Sequence, residues 1–198
     1  HMGLKTHGTG SATVVNDAGF GFGASGTIVG GNLSVTATTG NITDHTDWND
    51  NNITVAGTTT LTTSANNATI TLNDTDHSFT GAVTITTNDN SGTDADVTID
   101  GGTTALVLAA STIDGDLTVR SGNASGITDS GTLTVGGNLA ATTDAANGLI
   151  NLGTLAVDGT VQLTTNGSGN ATVVNDAGLN FAASTVRGNL AATATTGN

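Results

Sequence analysis

One short pattern recurs seven times along the 198-residue chain and constrains its fold more than any other feature. It reads apolar, any residue, Gly, any residue, apolar, any residue, apolar, and then Thr or, once, Arg. The copies are VGGNLSVT at 29–36, VAGTTTLT at 55–62, FTGAVTIT at 79–86, IDGDLTVR at 113–120, VGGNLAAT at 135–142, VDGTVQLT at 157–164 and VRGNLAAT at 186–193. The alternation of apolar and outward-facing residues predicts β-strands with one buried face.

Successive copies begin 22 to 34 residues apart, and a unit of this length cannot bury an apolar face by itself. Stacking like units on one another solves the problem. The sequence therefore predicts an all-β fold, a right-handed parallel β-helix (β-solenoid) of about seven coils. An antiparallel sandwich is the main alternative, but the motif keeps one direction, and Asn-Gly hairpin dipeptides occur only at 147–148 and 166–167.

The motif also predicts which side chains face inward and outward. The shared Gly, in the middle of the predicted strand, indicates a bend or a close backbone approach where a Cβ would be crowded. The inward positions are Val29, Leu33 and Val35 in the first copy and Val157, Val161 and Leu163 in the sixth. The residues predicted to form one outward ladder are Thr36, Thr62, Thr86, Arg120, Thr142, Thr164 and Thr193.

A second, longer period is superimposed on the coil repeat. ATVVNDAG occurs at 12–19 and again at 171–178, an offset of 171 − 12 = 159 residues. Duplication of a block of this length would produce the echo, which predicts a tandem array. We therefore interpret residues 1–11 as an expression scar (His-Met) with a linker or cap, and residues 12–198 as a single solenoid segment of a longer array. Residues 171–198 begin the next block.

The run GGNLSVTATTGNIT at 30–43 and its echoes at 136–143 and 187–198 resemble the repeats of filamentous-haemagglutinin-like adhesins, which are large secreted bacterial proteins. The resemblance covers residues 12–198 and implies a parallel β-helix shaft, secretion and a passive or adhesive role. It carries over no catalytic residue.

Charge and composition exclude several classes of function. The net charge is −13, with only Lys5, Arg120 and Arg187 as cations, so nucleic acid is not expected as a partner. No stretch approaches 18 consecutive apolar residues, so no membrane insertion is expected. Polysaccharide-active β-helix enzymes need clustered carboxylates, a basic group and aromatic platforms. With isolated arginines, one Trp and no Tyr, the chain is predicted not to be an enzyme, and no catalytic or cofactor-binding residue is assigned.

Two acidic stretches, at 43–52 and 88–100, carry the carboxylates that Ca²⁺ prefers, although neither has a calcium-loop spacing. We favour solvated turn residues, so no metal ligand and no cofactor is assigned, with Ca²⁺ as a weak alternative. The carboxylates concerned are Asp44, Asp47, Asp50, Asp89, Asp94, Asp96 and Asp100. His45 and His77 lack zinc-ligand spacing and are predicted to be surface histidines.

Trp48, in DHTDWNDNN, is the candidate ligand-contacting residue, together with Asp47 and Asp50. A lone Trp in an acidic insertion is suited to contact a sugar or a protein. The alternative is that it covers a local apolar patch.

Outward threonines raise the further alternative of an ice-binding β-solenoid, which needs Thr-x-Thr in every coil. The positions two residues before the predicted ladder are irregular, and coil lengths vary, which disfavours this class. Those positions are Ser34, Thr60, Thr84, Thr118, Ala140, Gln162 and Ala191.

Together these observations predict a structural shaft segment of an extracellular or cell-surface bacterial adhesin that mediates attachment to cells or surfaces. The second hypothesis is a binding module in which the loops at 44–52 and 88–104 contact an unidentified cell-surface glycan or protein. The enzyme and the ice-binding protein are more remote alternatives. Because open sheet edges pair with other chains, end-to-end self-association of the solenoid is also expected.

Overall fold

The computed structural model describes residues 1–44, 52–88 and 94–197. Within these ranges the protein is all-β, and its parallel strands stack as a solenoid of about eight turns. None of the described residues belongs to a helix long and apolar enough to cross a membrane.

The described residues form 22 strands. They are β1 (Ala12–Asn16), β2 (Phe20–Gly21), β3 (Thr27–Val29), β4 (Leu33–Ala37), β5 (Ile42–Thr43), β6 (Ile53–Val55), β7 (Thr59–Thr63), β8 (Ile70–Leu72), β9 (Ser78–Phe79), β10 (Val83–Thr86), β11 (Val97–Asp100), β12 (Leu106–Leu108), β13 (Ser111–Ile113), β14 (Leu117–Ser121), β15 (Ile127–Asp129), β16 (Leu133–Val135), β17 (Leu139–Ala146), β18 (Ile150–Val157), β19 (Thr160–Asn166), β20 (Ala171–Asn175), β21 (Asn180–Phe181) and β22 (Leu190–Ala194).

These strands form three sheets. Sheets 1 and 2 extend along the rod, and sheet 3 covers only its first part. Sheet 1 has 11 strands, in which β1, β4, β7 and β10 are followed by the pairs β12/β13 and β15/β16 and then by β18, β20 and β22. Sheet 2 has eight strands in the order β2, β5, β8, β11, β14, β17, β19 and β21, and sheet 3 comprises β3, β6 and β9. Pairing within all three sheets is parallel, for example β1 on β4, β11 on β14 and β3 on β6. The predicted parallel β-solenoid is confirmed, and the antiparallel sandwich is excluded.

The predicted inward residues line the core. All six are at most 1% exposed: Val29, Leu33, Val35, Val157, Val161 and Leu163. Three of them pair with an apolar residue of the next turn: Val29 with Val55, Val35 with Leu61, and Val161 with Phe181. Full burial of such a side chain stabilises the fold by about 1.5–3 kcal/mol, so the stack of aliphatic rows holds the turns together.

The motif glycines allow close backbone approach at a corner of the solenoid. The Gly57 N–H donates to the Gly31 carbonyl at 2.9 Å, and the Gly159 N–H donates to the Gly137 carbonyl at 3.0 Å. A Cβ on Gly159 would collide with that same carbonyl oxygen. The close approach is confirmed, but the mid-strand position is wrong, because Gly31 lies in the turn between β3 and β4.

The seven motif copies do not share one corner. The copies at Gly31, Gly57 and Gly81 lead into sheet 1, because β4, β7 and β10 follow them. The copies at 115, 137 and 159 lead into sheet 2, and the copy at 188 leads into sheet 1 again. Up to β10, each motif copy leads from a strand of sheet 3 into a strand of sheet 1. After residue 105 each turn places two successive strands in sheet 1, beginning with β12 and β13, so the next motif copy leads from sheet 1 into sheet 2.

The single outward ladder is therefore wrong. Thr36, Thr62 and Thr86 form a row on sheet 1. Arg120 and the two threonines opposite and beyond it form a different row, on sheet 2: Thr142 and Thr164.

Residues 1–11 lie against the first turn. Met2 makes a parallel bridge to Phe22, and Lys5 makes one to Ile28. Their interpretation as a tag remnant with a linker or cap stays a prediction.

We expect G159A to lower the free energy of unfolding by about 1–3 kcal/mol, because the added Cβ overlaps backbone of the previous turn. G153A is the matched control, since its Cβ would meet nothing nearer than 3.9 Å, and it should change stability by less than about 0.5 kcal/mol. Urea unfolding of the two variants measures the difference. Equal stabilities would contradict the requirement for glycine at this corner.

Candidate functional site

Asp44 and His77 are ionisable residues at inward positions of a core that also holds buried threonines such as Thr59. Asp44 directly follows β5, in line with Leu72 of the next turn, because Ile42 pairs with Ile70. His77 precedes β9 and lies opposite Ile53. Asp44 is 5% exposed and His77 is 1% exposed, so both side chains are removed from bulk water.

The two side chains are hydrogen-bonded to each other. His77 Nε2 lies 3.1 Å from Asp44 Oδ2. On the other side of the ring, the Ile53 N–H donates to His77 Nδ1 at 3.1 Å. Because Nδ1 accepts this bond, the ring proton is on Nε2 and is donated to the Asp44 carboxylate. The pair is therefore a neutral imidazole that faces a carboxylate.

The Asp44 carboxylate also accepts hydrogen bonds from the backbone of the next turn of the solenoid. Its Oδ2 accepts the N–H groups of Asn73 at 2.7 Å and Asp74 at 3.0 Å. Burial by itself would raise the pKa of Asp44, but the His77 hydrogen bond and these two amides outweigh it and hold the pKa below its ordinary value of 3.8. Asp44 is thus an ionised group in the core whose Oδ2 accepts three hydrogen bonds.

His77 joins the two ends of one chain segment. Its partners, Asp44 and Ile53, flank residues 45–51. The candidate contact residues Asp47, Trp48 and Asp50 belong to this segment, and they lie outside the described residues, as does His45. Their assignment as ligand contacts stays a prediction, and what the structure adds is that His77 is hydrogen-bonded to Asp44 and Ile53, the described residues before and after this segment.

The predictions of a solvated Asp44 and a surface His77 are wrong. The signal that could have found them is strand alternation, since Asp44 continues the inward row of Ile42, and His77 shares a face with Phe79. The His77 and Phe79 rings pack edge to face with centroids 5.8 Å apart. Burial is tolerated because both His77 ring nitrogens and Asp44 Oδ2 have hydrogen-bond partners.

In the second acidic stretch, the described carboxylates bind backbone amides. Asp96 Oδ1 accepts the Asp116 N–H at 2.8 Å, and Asp116 Oδ1 accepts the Asn138 N–H at 2.7 Å. Asn138 Oδ1 in turn accepts the Thr160 N–H at 2.8 Å. Each of these side chains thus binds a backbone amide at the corner of the next turn. Asp94 is exposed, and Asp89 lies outside the described residues.

Arg120 is part of a cluster on the outer side of sheet 2. Its Nε donates to Asp144 Oδ2 and lies 3.7 Å from Asp100 Oδ2. Burial raises the pKa of Asp100, although the Gly102 N–H and the Arg120 charge oppose it. The Asp144 hydrogen bond raises the pKa of Arg120. Because the Arg120 side chain is 50% exposed, such pairs contribute only about 0–1 kcal/mol.

The Asp44–His77 pair is enclosed by the core, whereas the Arg120 cluster is partly exposed. Across residues 1–44, 52–88 and 94–197, no three His, Asp or Glu side chains lie close enough together to hold a metal ion.

One protein family, described as repeats of unknown function (DUF5649), matches residues 9–86 and 94–152 of the chain. No curated protein and no solved structure matches the chain.

We expect the Asp44 carboxylate to make stability fall in acid. Its pKa in the folded protein lies below that of the unfolded chain, so its contribution is complete above pH 3.8. It is lost as the pH falls through the folded value. D44N should cost about 1–3 kcal/mol at pH 7 and less at about pH 2.5.

Urea unfolding at both pH values tests this expectation, with D158N, at an exposed acid, as the control. The same loss for D44N at both pH values would contradict a stabilising ionised carboxylate.

Proposed function

We propose that this chain, which belongs to the family of repeats of unknown function DUF5649, is a segment of the shaft of a large secreted or cell-surface bacterial adhesin. In this role the stacked turns hold a distant binding region away from the cell and so mediate attachment to cells or surfaces. The resemblance of its G-N-L repeats to those of filamentous-haemagglutinin-like adhesins supports the same role.

The observation that carries the proposal is the structural equivalence of the two echoed segments. β1 and β20, which have the same sequence ATVVN, both lie in sheet 1. Ala12 pairs with Leu33 of the following turn, and Ala171 pairs with Leu190 in the same register.

The block offset therefore equals a whole number of turns. From β1 to β20 the chain crosses sheet 1 seven further times, so 159 residues make seven turns. A block of this kind returns to the same sheet with the same register, and further blocks can extend the solenoid without a break. At a strand spacing of about 4.8 Å, each block lengthens the rod by about 34 Å.

The last described strand supports continued stacking. Leu190 lies over the buried Ala171 but is itself 48% exposed, because no strand covers it. A further turn of the array, or the end of a second chain in end-to-end association, would bury it.

Insertion of a second copy of residues 12–170 after residue 170 tests the shaft. We expect the maximum dimension from small-angle X-ray scattering to increase by about 34 Å, with unchanged β content per residue. A scrambled insert of equal composition and length is the control. An unchanged dimension, or an unfolded insert, would contradict the shaft proposal.

A binding module is the second candidate, and the Asp44–His77 anchor favours it. A loop whose two ends are fixed by one buried side chain loses less conformational entropy when it binds a partner. Residues 44–52, with Trp48, would then contact a cell-surface glycan or protein, with the residues on either side of β11 in the 88–104 stretch as a second contact.

Glycan arrays and intact cells distinguish the two candidates. Saturable binding by the chain would support the binding module over a purely structural shaft. W48A should then weaken binding by about 30-fold, whereas W48F, which keeps an aromatic ring, should lose less. Unchanged affinity in W48A would exclude the contact role of Trp48.

A further inference from the structure

The outward face of sheet 1 carries two columns of hydroxyl side chains in adjacent turns. In the first column, successive threonines lie directly opposite one another: Thr36, Thr62, Thr86, Thr112 and Thr134. The second column lies two residues earlier along each strand: Ser34, Thr60, Thr84, Ala110 and Thr132. We call these ten residues the threonine face.

The threonine face differs from the row that the sequence motif predicts. Thr112, Thr132 and Thr134 lie in β13 and just before and within β16, outside the outward positions of the motif. Of the residues that made the motif row irregular, Ala140 and Gln162 lie on sheet 2, and Ala191 lies in β22 of sheet 1, outside the five turns of the threonine face. Within these five turns the Thr/Ser-x-Thr pattern holds in four, so the irregularity of the motif row does not apply to this face.

The hydroxyls of this face are available to solvent. Each of the nine hydroxyl-bearing residues is half-buried or exposed. Their side chains make no hydrogen bond to any other described residue. By contrast, threonine hydroxyls at the corners are used internally, as when Thr143 donates to the Gly148 carbonyl at 2.9 Å.

The threonine face is also free of charge, in a chain whose net charge is −13. None of its ten residues is acidic or basic. Sheet 2 has a comparable outward column, Thr43, Thr71, Thr98 and Thr118, but charged side chains flank it. Those neighbours are Asp96, Asp100, Asp116 and Arg120. Among the described residues, the two hydroxyl columns of sheet 1 have no charged side chain within or between them, and Asp114, which follows Thr112 by two residues, is buried.

The two columns define a regular grid across β4, β7 and β10, and the register shifts by one residue where β10 meets β12 and β13. Adjacent turns are about 4.8 Å apart, and residues two apart on a strand are about 6.6 Å apart. A rigid backbone ladder fixes this grid before any partner arrives, so no ordering cost is added on contact.

The chemistry of the threonine face, which is uncharged and has no aromatic ring, limits the kinds of partner that it could bind. Nucleic acid needs cations, and a crystalline polysaccharide needs aromatic platforms, and the face offers neither. A surface of ordered water is uncharged and presents hydrogen-bond donors and acceptors at a regular spacing of the same order as this grid. Threonine supplies one hydroxyl for that lattice and one methyl group that fits between its oxygens.

We infer that the threonine face of sheet 1 binds the surface of ice crystals, a function separate from that of a shaft. Individual contacts are weak, but several turns engage together, so the summed attachment is strong. Tandem blocks would repeat the face along the rod, with Ala156 and Val174 interrupting the first column between copies.

Thermal hysteresis and uptake of fluorescently labelled protein into a growing ice shell test the inference. We expect the chain to be incorporated into ice and to slow crystal growth. T62K/T84K places two lysines on the threonine face and should reduce incorporation by about tenfold or more. T71K/T98K is the matched control on sheet 2, with the same charge change and equally half-buried positions, and should leave incorporation unchanged.

Circular dichroism and thermal unfolding of both variants separate loss of the face from loss of the fold. Exclusion of the parent chain from ice, or an equal loss in T71K/T98K with both variants folded, would overturn the inference. Sedimentation velocity tests a second copy as the occupant. An oligomer of the parent chain that only T62K/T84K dissociates, without ice uptake, would overturn it too. Each of these results is independent of the length increase that tests the shaft.

Discussion

The parallel backbone ladder between successive turns is the interaction on which the rest of this molecule depends. It places each residue directly over its counterpart one turn earlier, as Val35 lies over Val14 and under Leu61. A like-over-like arrangement means that an apolar position stays apolar through the rod, and the aliphatic core follows. It also means that any row of outward side chains becomes a straight column with a fixed spacing of about 4.8 Å.

At the corners, backbone N–H groups that do not pair with backbone carbonyls are bound by polar side chains instead. Gly137 and Gly159 let backbone meet backbone, while Asp116 and Asn138 bind the free amides of the next turn. The abundant Asn, Asp and Thr residues therefore have structural roles at positions that, from the sequence, resemble solvated turns. Stability in such a rod is spread over many equivalent bonds, which suits a shaft that has to be extended.

The Asp44–His77 pair is an ionisable pair within a core that is mostly aliphatic. His77 is hydrogen-bonded both to Asp44 and to the Ile53 N–H, the described residues that come before and after the Trp48 segment in the sequence. A buried pair of this kind gains little stability over apolar packing, but it fixes one arrangement of the chain. The pair holds in place the two described residues that precede and follow the Trp48 segment, and this is its link to the proposed binding role.

The sequence by itself determined the strand period, the inward rows and the parallel stacking, because alternation at Val29, Leu33 and Val35 depends only on local geometry. It also determined the 159-residue block, since identity of 12–19 with 171–178 needs no coordinates. Which corner each motif copy occupies depends on how the strands between copies are divided among three sheets. That division is set by long-range packing, through the extra crossing of β12 and β13.

For the same reason, the sequence could not identify the neighbours of Thr86 or His77. Thr86 is followed in its column by Thr112, which no motif alignment pairs with it, and His77 meets Asp44 from 33 residues away. Both the uncharged threonine face and the buried anchor arise from register between turns. The register is set only when successive turns pack on one another, so these two sites depend on the tertiary structure.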